Sequence, residues 1–94
     1  MRLYELTVIL ADSIEDPKTA ADEIAEVVRG LGAEVEKIDL WGKKRLAYTI
    51  KKQQEGFYAL ITFKISPDVI KEIDRILSLR VAVLRHLVVA AGEE

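Results

Sequence analysis

The chain has 94 residues, of which 50% are hydrophobic and 32% are charged, and its formal net charge is −2. This balance predicts a single folded domain over residues 1–94, and it excludes a disordered chain and a protein that attracts nucleic acid over its whole surface. The absence of cysteine excludes disulfides, thiolate metal sites and cysteine nucleophiles. The sequence has neither the layout of a signal peptide nor an apolar run long enough to span a membrane, so the expected location is the cytoplasm.

The first half of the chain predicts two strands separated by a helix. Residues 2–10 alternate, which is typical of a strand whose even positions face a core. Asp16 and Pro17 then suit the cap and first turn of a helix that carries apolar residues at helical spacing as far as Leu31. A second strand is expected to start at Ala33 and to run to residue 51, with Gly42 marking a bulge or bend.

The second half predicts a turn, a strand, a helix and a last strand. The QQEG segment at 53–56 is typical of a turn in which Gly56 adopts a positive φ, and residues 57–65 form the third strand. Ser66 and Pro67 are expected to cap and begin the second helix. Residues 83–90 form the fourth strand.

This β-α-β-β-α-β order predicts an α+β fold, with a four-stranded antiparallel sheet in the order 4-1-3-2 and both helices on one face. Right-handed crossovers are expected to make strands 1 and 3 parallel neighbours at the centre and to leave strand 2 at an edge. The residues expected in the core are Leu6, Val8, Ile24, Val28, Val35, Ile61, Phe63, Ile73, Leu77 and Val88.

The opposite face of the sheet is expected to carry an apolar strip that includes Leu60, Leu87 and Val89, between the charged side chains of Glu5 and Arg85. An exposed strip of this kind favours a docking partner. The alternative is an ordinary solvated surface, since apolar atoms are common on all protein surfaces.

No catalytic or metal-binding pattern is present in the sequence. The single histidine, His86, is predicted to point toward the core side of strand 4 and to make one hydrogen bond. Small phosphatases of the acylphosphatase type share the topology but rely on an Arg and an Asn, and this chain has no Asn. Base stacking like that of RNA-recognition motifs is disfavoured, because strand 1 offers Glu5 and Thr7 where those domains carry aromatic residues. We therefore predict a protein that is not an enzyme and that has no metal site and no cofactor.

The chain also lacks asparagine, and its charge is carried mainly by Glu and Lys, which is typical of a thermostable or designed protein.

The basic segment Gly42–Lys52 supports two interpretations. Its cations are either phosphate-binding residues or charges that keep an edge strand soluble. Lys43, Lys44 and Arg45 alternate across the strand, so they cannot all face one way. The candidate RNA-binding residues are Arg2, Lys43, Lys44, Arg45, Lys51, Lys52, Arg80 and Arg85.

Four stretches together resemble the bacterial small-subunit (30S) ribosomal protein S6 family over essentially the whole chain. They are MRLYE at the start, GKKRLAYTI from Gly42, GFY from Gly56, and VLRHLVV from Val83. The resemblance implies a ferredoxin-like fold and a structural role on the platform of the small subunit. It also implies binding to the central domain of the small-subunit ribosomal RNA together with ribosomal protein S18, on the ribosome in the cytoplasm.

The residues expected to dock the protein partner, where they are exposed, are Leu40, Trp41, Leu46 and Tyr48, because an aromatic residue beside a positive rim is a typical hot spot. The alternative for Trp41 is that it closes the end of the core.

Two features depart from the family pattern. The segment from Arg80 to Val83 is apolar where the family commonly has polar or acidic residues, and a charged tail is missing. A redesigned or trimmed member fits these departures. The alternative function is an engineered or stand-alone ferredoxin-like scaffold without a ligand, which self-associates through strand 2.

Overall fold

The structure is a computed structural model that describes residues 1–50 and 52–91, without the side chains of residues 50 and 53. Its elements are β1 (Arg2–Ala11), α1 (Pro17–Gly30), β2 (Glu34–Ile50), β3 (Gln53–Ile65), a 3-10 turn (Pro67–Val69), α2 (Ile70–Ser78) and β4 (Val83–Ala90). The predicted β-α-β-β-α-β order is confirmed. Neither helix of this described part is long and apolar enough to cross a membrane.

The four strands form one sheet in the order β2-β3-β1-β4, which is the predicted order 4-1-3-2. All three neighbouring pairs are antiparallel. The expectation that strands 1 and 3 are parallel was therefore wrong. β2 and β3 form a hairpin, so β3 runs opposite to β2. The helical crossovers instead join β1 to β2 and β3 to β4, and each crossover skips the strand that lies between its two ends.

The core lies between the sheet and the two helices, as the alternation predicted. The even residues of β1 from Tyr4 to Leu10 are buried, and they meet the odd residues of β3 in register, with Leu6 opposite Ile61. Eight of the ten expected core residues are buried. The other two, Val35 and Val88, lie on the outer strands and are half-buried against the same cluster, because the helices cover the edges of the sheet less completely than its centre.

The two helices begin differently. Asp16 caps α1 as predicted: its carboxylate accepts a hydrogen bond from the backbone N–H of Thr19 at 3.2 Å and another from the Thr19 hydroxyl at 2.7 Å. These bonds favour the ionised form and lower the pKa of Asp16. The predicted cap by Ser66 was wrong, because its hydroxyl donates to the Asp68 carboxylate and a 3-10 turn precedes α2.

The third strand, β3, begins earlier in the chain than expected. β2 ends at Ile50 and β3 begins at Gln53, so QQEG lies in β3, and Lys52 lies in the turn that precedes it. Lys52 has a positive φ of 67°, which is typical of hairpin turns. Gly56 has no positive φ and is buried within the strand.

Gly42 marks the predicted irregularity in β2. Its φ is 91°, and the pairing of β2 with β3 shifts between Leu40 and Gly42. The strand continues through this bulge, which increases its local twist and bends it.

Candidate functional site

Beyond the bulge at Gly42, the hairpin forms an arm, here defined as residues 41–50 and 52–58. The arm curls over the face of the sheet that the helices leave open. Leu46 is only 7% exposed and packs in a cluster with Ala11 and Leu84. Because β3 and β1 separate β2 from β4 in the sheet, this contact requires the arm to cross over both strands.

A polar contact between Tyr48 and Arg85 holds the far end of the arm. The Arg85 guanidinium donates a hydrogen bond to the Tyr48 hydroxyl, and its central carbon lies 5.9 Å from the centre of the Tyr48 ring. Beneath the arm is a depression of about 200 Å³, whose lining includes Ile9, Tyr58 and Arg85. The arm and β4 are therefore linked by one apolar and one charged contact.

The three central basic residues of the arm have different surroundings. Lys43 Nζ lies 2.9 Å from an Asp12 carboxylate oxygen, and this contact raises the pKa of Lys43. Lys44 Nζ lies 5.4 Å from the centre of the Trp41 ring and 5.9 Å from that of Tyr58. Arg45 pairs in register with Glu55 of β3. Lys43 Nζ also lies 5.5 Å from the centre of the Phe57 ring, so both lysines lie beside aromatic rings, and Lys44 is the one that lies near two.

Of the remaining predicted basic residues, Arg85 contacts the arm through Tyr48 and Lys52 belongs to the arm, whereas Arg2 and Arg80 lie outside it. Arg2 pairs with Ile65 at one end of β1, whereas Arg85 pairs with Ile9 near the other end, so the two are separated along the sheet as expected. Arg80 is half-buried between α2 and β4. Lys52 is exposed at the turn, and Lys51 lies outside the described residues.

The apolar candidates divide into exposed and buried members. Leu40, Trp41 and Tyr48 are 43%, 46% and 57% exposed, respectively. Leu46 is buried, so its assignment as a contact residue is corrected: it anchors the arm and offers no surface to a partner. Trp41 lies outside the buried clusters, which argues against its role in closing the core.

Sequence reasoning missed Asp12 and Glu55, which place negative charge beside the basic residues of the arm. Glu55 would follow from the correct hairpin register, which the assignment of QQEG to a turn hid. No local signal in the sequence connects Asp12 with Lys43, because the contact depends on the bend of the arm.

His86 lies on the helix side of β4, as predicted. Its Nε2 is 3.2 Å from a carboxylate oxygen of Asp74 on α2, and the side chain is 16% exposed. Within residues 1–50 and 52–91, no three His, Asp or Glu side chains are grouped so as to hold a metal ion.

Comparison with known proteins identifies the family. The family model described as "Ribosomal protein S6" matches residues 3–90. The chain belongs to the ribosomal protein S6 family. It is 41% identical to the small ribosomal subunit protein bS6 of Desulforamulus reducens, over 99% of this chain and 100% of that protein. It is 48% identical to bS6 of Corynebacterium efficiens, over 90% of this chain and 92% of that protein.

A solved structure of the S6 family has the same fold. The crystal structure of 30S ribosomal protein S6 from Thermotoga maritima matches with a TM-score of 0.87 and 22% sequence identity, over 95% of this chain and 86% of that one. The ferredoxin-like fold predicted from the resemblance is therefore confirmed. Family membership also confirms a structural, non-enzymatic ribosomal protein, with its place on the ribosome in the cytoplasm.

Proposed function

We propose that this member of the S6 family binds the central domain of the small-subunit ribosomal RNA together with ribosomal protein S18. The observation that carries the proposal is the exposed side of the arm, where Lys44 lies over the rings of Trp41 and Tyr58. Aromatic side chains beside a cation are the common elements of both protein hot spots and RNA contacts.

The protein partner docks on the exposed apolar residues at the base of the arm. Leu40 lines an apolar depression of about 220 Å³, formed with Pro17 of α1 and Phe57 of β3. Trp41 lies at the bulge, next to this depression, and is nearly half exposed. An aromatic anchor next to an apolar depression, with a polar rim, is the arrangement that dominates protein–protein affinity.

The RNA contacts the basic residues of the arm through its phosphates. Lys44 and Arg45 are exposed, and Lys52 extends the basic surface toward the turn. Lys43 contributes less, because Asp12 already neutralises part of its charge. Contacts of this kind fix the position of the protein on the RNA and do not select a base sequence.

The test is a binding titration of this protein against S18 and the platform RNA fragment. Trp41→Ala should weaken S18 binding by roughly tenfold or more, since hot-spot truncations cost about 2 kcal/mol. The matched control is Val81→Ala, because Val81 is 90% exposed and lies outside the arm. If Trp41→Ala lowers stability but leaves the affinity intact, Trp41 is a structural residue and the docking site is wrong.

A salt series tests the RNA contacts. Replacing Lys44 and Arg45 together with Ala should weaken RNA binding about equally for any sequence, and it should flatten the log–log salt slope by roughly 1.5 to 2 units. The control replaces Lys71 and Arg75, which are exposed on α2. An unchanged slope with intact binding would mean that the basic residues of the arm only keep an edge strand soluble.

Failure of both titrations would favour the alternative of a ligand-free scaffold that self-associates through β2. The charges along that strand oppose this alternative, since Glu34, Glu36, Lys37 and Asp39 occupy its first half.

A further inference from the structure

Arg85 belongs to a row of side chains that crosses the open face of the sheet beneath the arm. In register, Tyr58 of β3 lies opposite Ile9 of β1, and Ile9 lies opposite Arg85 of β4. The arm passes over this row and brings the Tyr48 hydroxyl to the Arg85 guanidinium. Arg85 and Tyr48 therefore line the same depression of about 200 Å³, one from the sheet and the other from the arm.

The positive charge of Arg85 has no acidic partner in the part of the chain that the structure describes. No carboxylate there forms an ion pair with Arg85, whose side-chain partner is the neutral phenol of Tyr48. By contrast, Lys37, Lys43 and Lys64 of the same sheet each lie 2.9–3.2 Å from a carboxylate oxygen. The depression therefore carries a full positive charge, which attracts an anionic group.

The hydrogen-bond donors of Arg85 and Tyr48 suit a phosphate group. The bond to Tyr48 uses one of the five N–H donors of the guanidinium. Because the Tyr48 oxygen accepts that bond, its own O–H can donate to a second oxygen atom. A planar fork of N–H donors beside an O–H donor matches the several oxygens of a phosphate. Both side chains are exposed, Tyr48 by 57%, so an anion can reach them while the arm stays in place.

We propose that Arg85 and Tyr48 bind a backbone phosphate of the RNA at the depression beneath the arm. This site rests on the proposed RNA binding and adds to it a contact on the open face of the sheet. A second cation favours RNA as the occupant: Lys44 of β2 lies 5.9 Å from the centre of the Tyr58 ring, which lines the same depression. A single acidic side chain would engage one of the two cations, whereas a run of phosphates engages both.

A salt series with Arg85→Gln tests the charge of the site. The platform RNA fragment is titrated into the protein with S18 present at saturating concentration. Arg85→Gln should weaken RNA binding by roughly tenfold. It should also flatten the log–log salt slope by roughly 0.7 to 0.9 units, because one phosphate contact is lost. The matched control is Arg75→Gln, which removes the same charge from an exposed position on α2 and should change neither quantity. Equal changes in the two variants would mean that only net charge matters, and the site would be wrong.

Tyr48→Phe separates a direct contact from an effect on the position of the arm. This change removes the O–H donor and keeps every charge, so it should weaken RNA binding by roughly threefold and leave the salt slope unchanged. It also breaks the same bond between the arm and β4 that Arg85→Gln breaks. If Tyr48→Phe flattens the slope as much as Arg85→Gln, Arg85 acts by positioning the arm, and the phosphate site is wrong. Circular dichroism checks that the variants are folded.

The site and the proposed function fail in different ways. If replacing Lys44 and Arg45 flattens the salt slope and Arg85→Gln does not, the proposed function stands and this site alone is wrong. If the native chain shows no salt-dependent binding to the RNA, the proposed function is wrong and the site with it. If Arg85→Gln weakens S18 binding, measured without RNA, and leaves the RNA slope unchanged, the occupant is an acidic group of the protein partner, and the phosphate assignment is overturned.

Discussion

The body of the molecule and the arm are made of the same strands but are organised in different ways. In the body, each strand has one face against the helices, and alternation alone determines that Leu6, Val8 and Ile61 are buried. The helices meet the arm only at its base, where Phe57 packs against the core. Trp41 and Tyr48 of the arm are exposed, and among the described side chains of the arm Leu46 is the buried apolar one.

This difference teaches that hydrophobic alternation specifies a structure when a second layer makes one face different from the other. Where that layer is missing, a bulge and a few specific contacts set the geometry. In the arm these are the bend at Gly42, the packing of Leu46 and the bond between Tyr48 and Arg85. The comparison predicts large effects for substitutions in the body and localised effects for substitutions in the arm.

The largest effect is expected in the body. Ile61→Ala or Leu77→Ala should lower the free energy of unfolding by ~2–5 kcal/mol, because each leaves a cavity in a fully packed core. Chemical denaturation measures this loss. Val81→Ala is the control, since Val81 is 90% exposed. A loss below about 1 kcal/mol at both core sites would mean that the alternation has been misassigned.

The next effect is expected where the arm joins the body. A Cβ at Gly56 would lie 2.6 Å from Ile9 Cγ2 and 3.0 Å from the Leu10 carbonyl oxygen. Gly56→Ala should therefore cost about 1–3 kcal/mol through overpacking. The double variant with Ile9→Ala should be less destabilised than the sum of the single variants, which a double-mutant cycle measures. Simple additivity would show that the contact with Ile9 is not the cause.

A smaller and local effect is expected at the end of the arm. Tyr48→Phe removes the hydroxyl that accepts the Arg85 hydrogen bond but keeps the ring, so the global stability should change by less than about 1 kcal/mol. Hydrogen exchange of the arm amides should become faster while exchange in β1 stays the same. Thr49→Ala, at the neighbouring exposed position, should change neither. Unchanged exchange in the arm of Tyr48→Phe would show that Leu46 alone holds it.

The smallest effect is expected at the cap of α1. The hydrogen bonds from Thr19 lower the pKa of Asp16, so its charge stabilises the folded state above the unfolded value of about 3.9. This contribution is lost as the pH falls through the lower folded-state pKa. The difference in Tm between the native chain and Asp16→Asn should thus shrink between neutral and strongly acidic pH. Glu23→Gln, on the same helix, is the control. A difference in Tm between the native chain and Asp16→Asn that grows at acidic pH would contradict the assignment.

The sequence predicted the fold because its signals were periodic and local. The alternation in β1 and β3, the apolar stripes of α1 and α2, and the proline at the start of each helical segment specify the elements and their order. The direction of β3 relative to β1 was wrong, although it follows from the hairpin that the same sequence predicts. That error came from assigning the crossovers to the wrong strand pairs.

The candidate site was less predictable because it depends on contacts between distant residues. Composition marked QQEG as a turn, but this segment lies in β3, whose pairing with β2 shifts register between Arg45 and Ile50. Gly56 is required by the close approach of Ile9 and not by a positive φ. The contacts of Arg85 with Tyr48 and of Asp12 with Lys43 arise from the bend of the arm. No pattern in a single strand encodes them.

The central position of β1 has a consequence for the order in which the chain folds during synthesis. β1 is the first strand in the sequence, yet one of its two neighbours is β4, the last strand, with Tyr4 opposite Ala90. While the polypeptide is being made, one side of β1 therefore stays without its partner until β4 has been translated. Closing the long loop between β1 and β4 is slow, so the complete sheet forms late. A nascent chain that pauses before β4 exposes the unpaired edge of β1, which can pair with another chain.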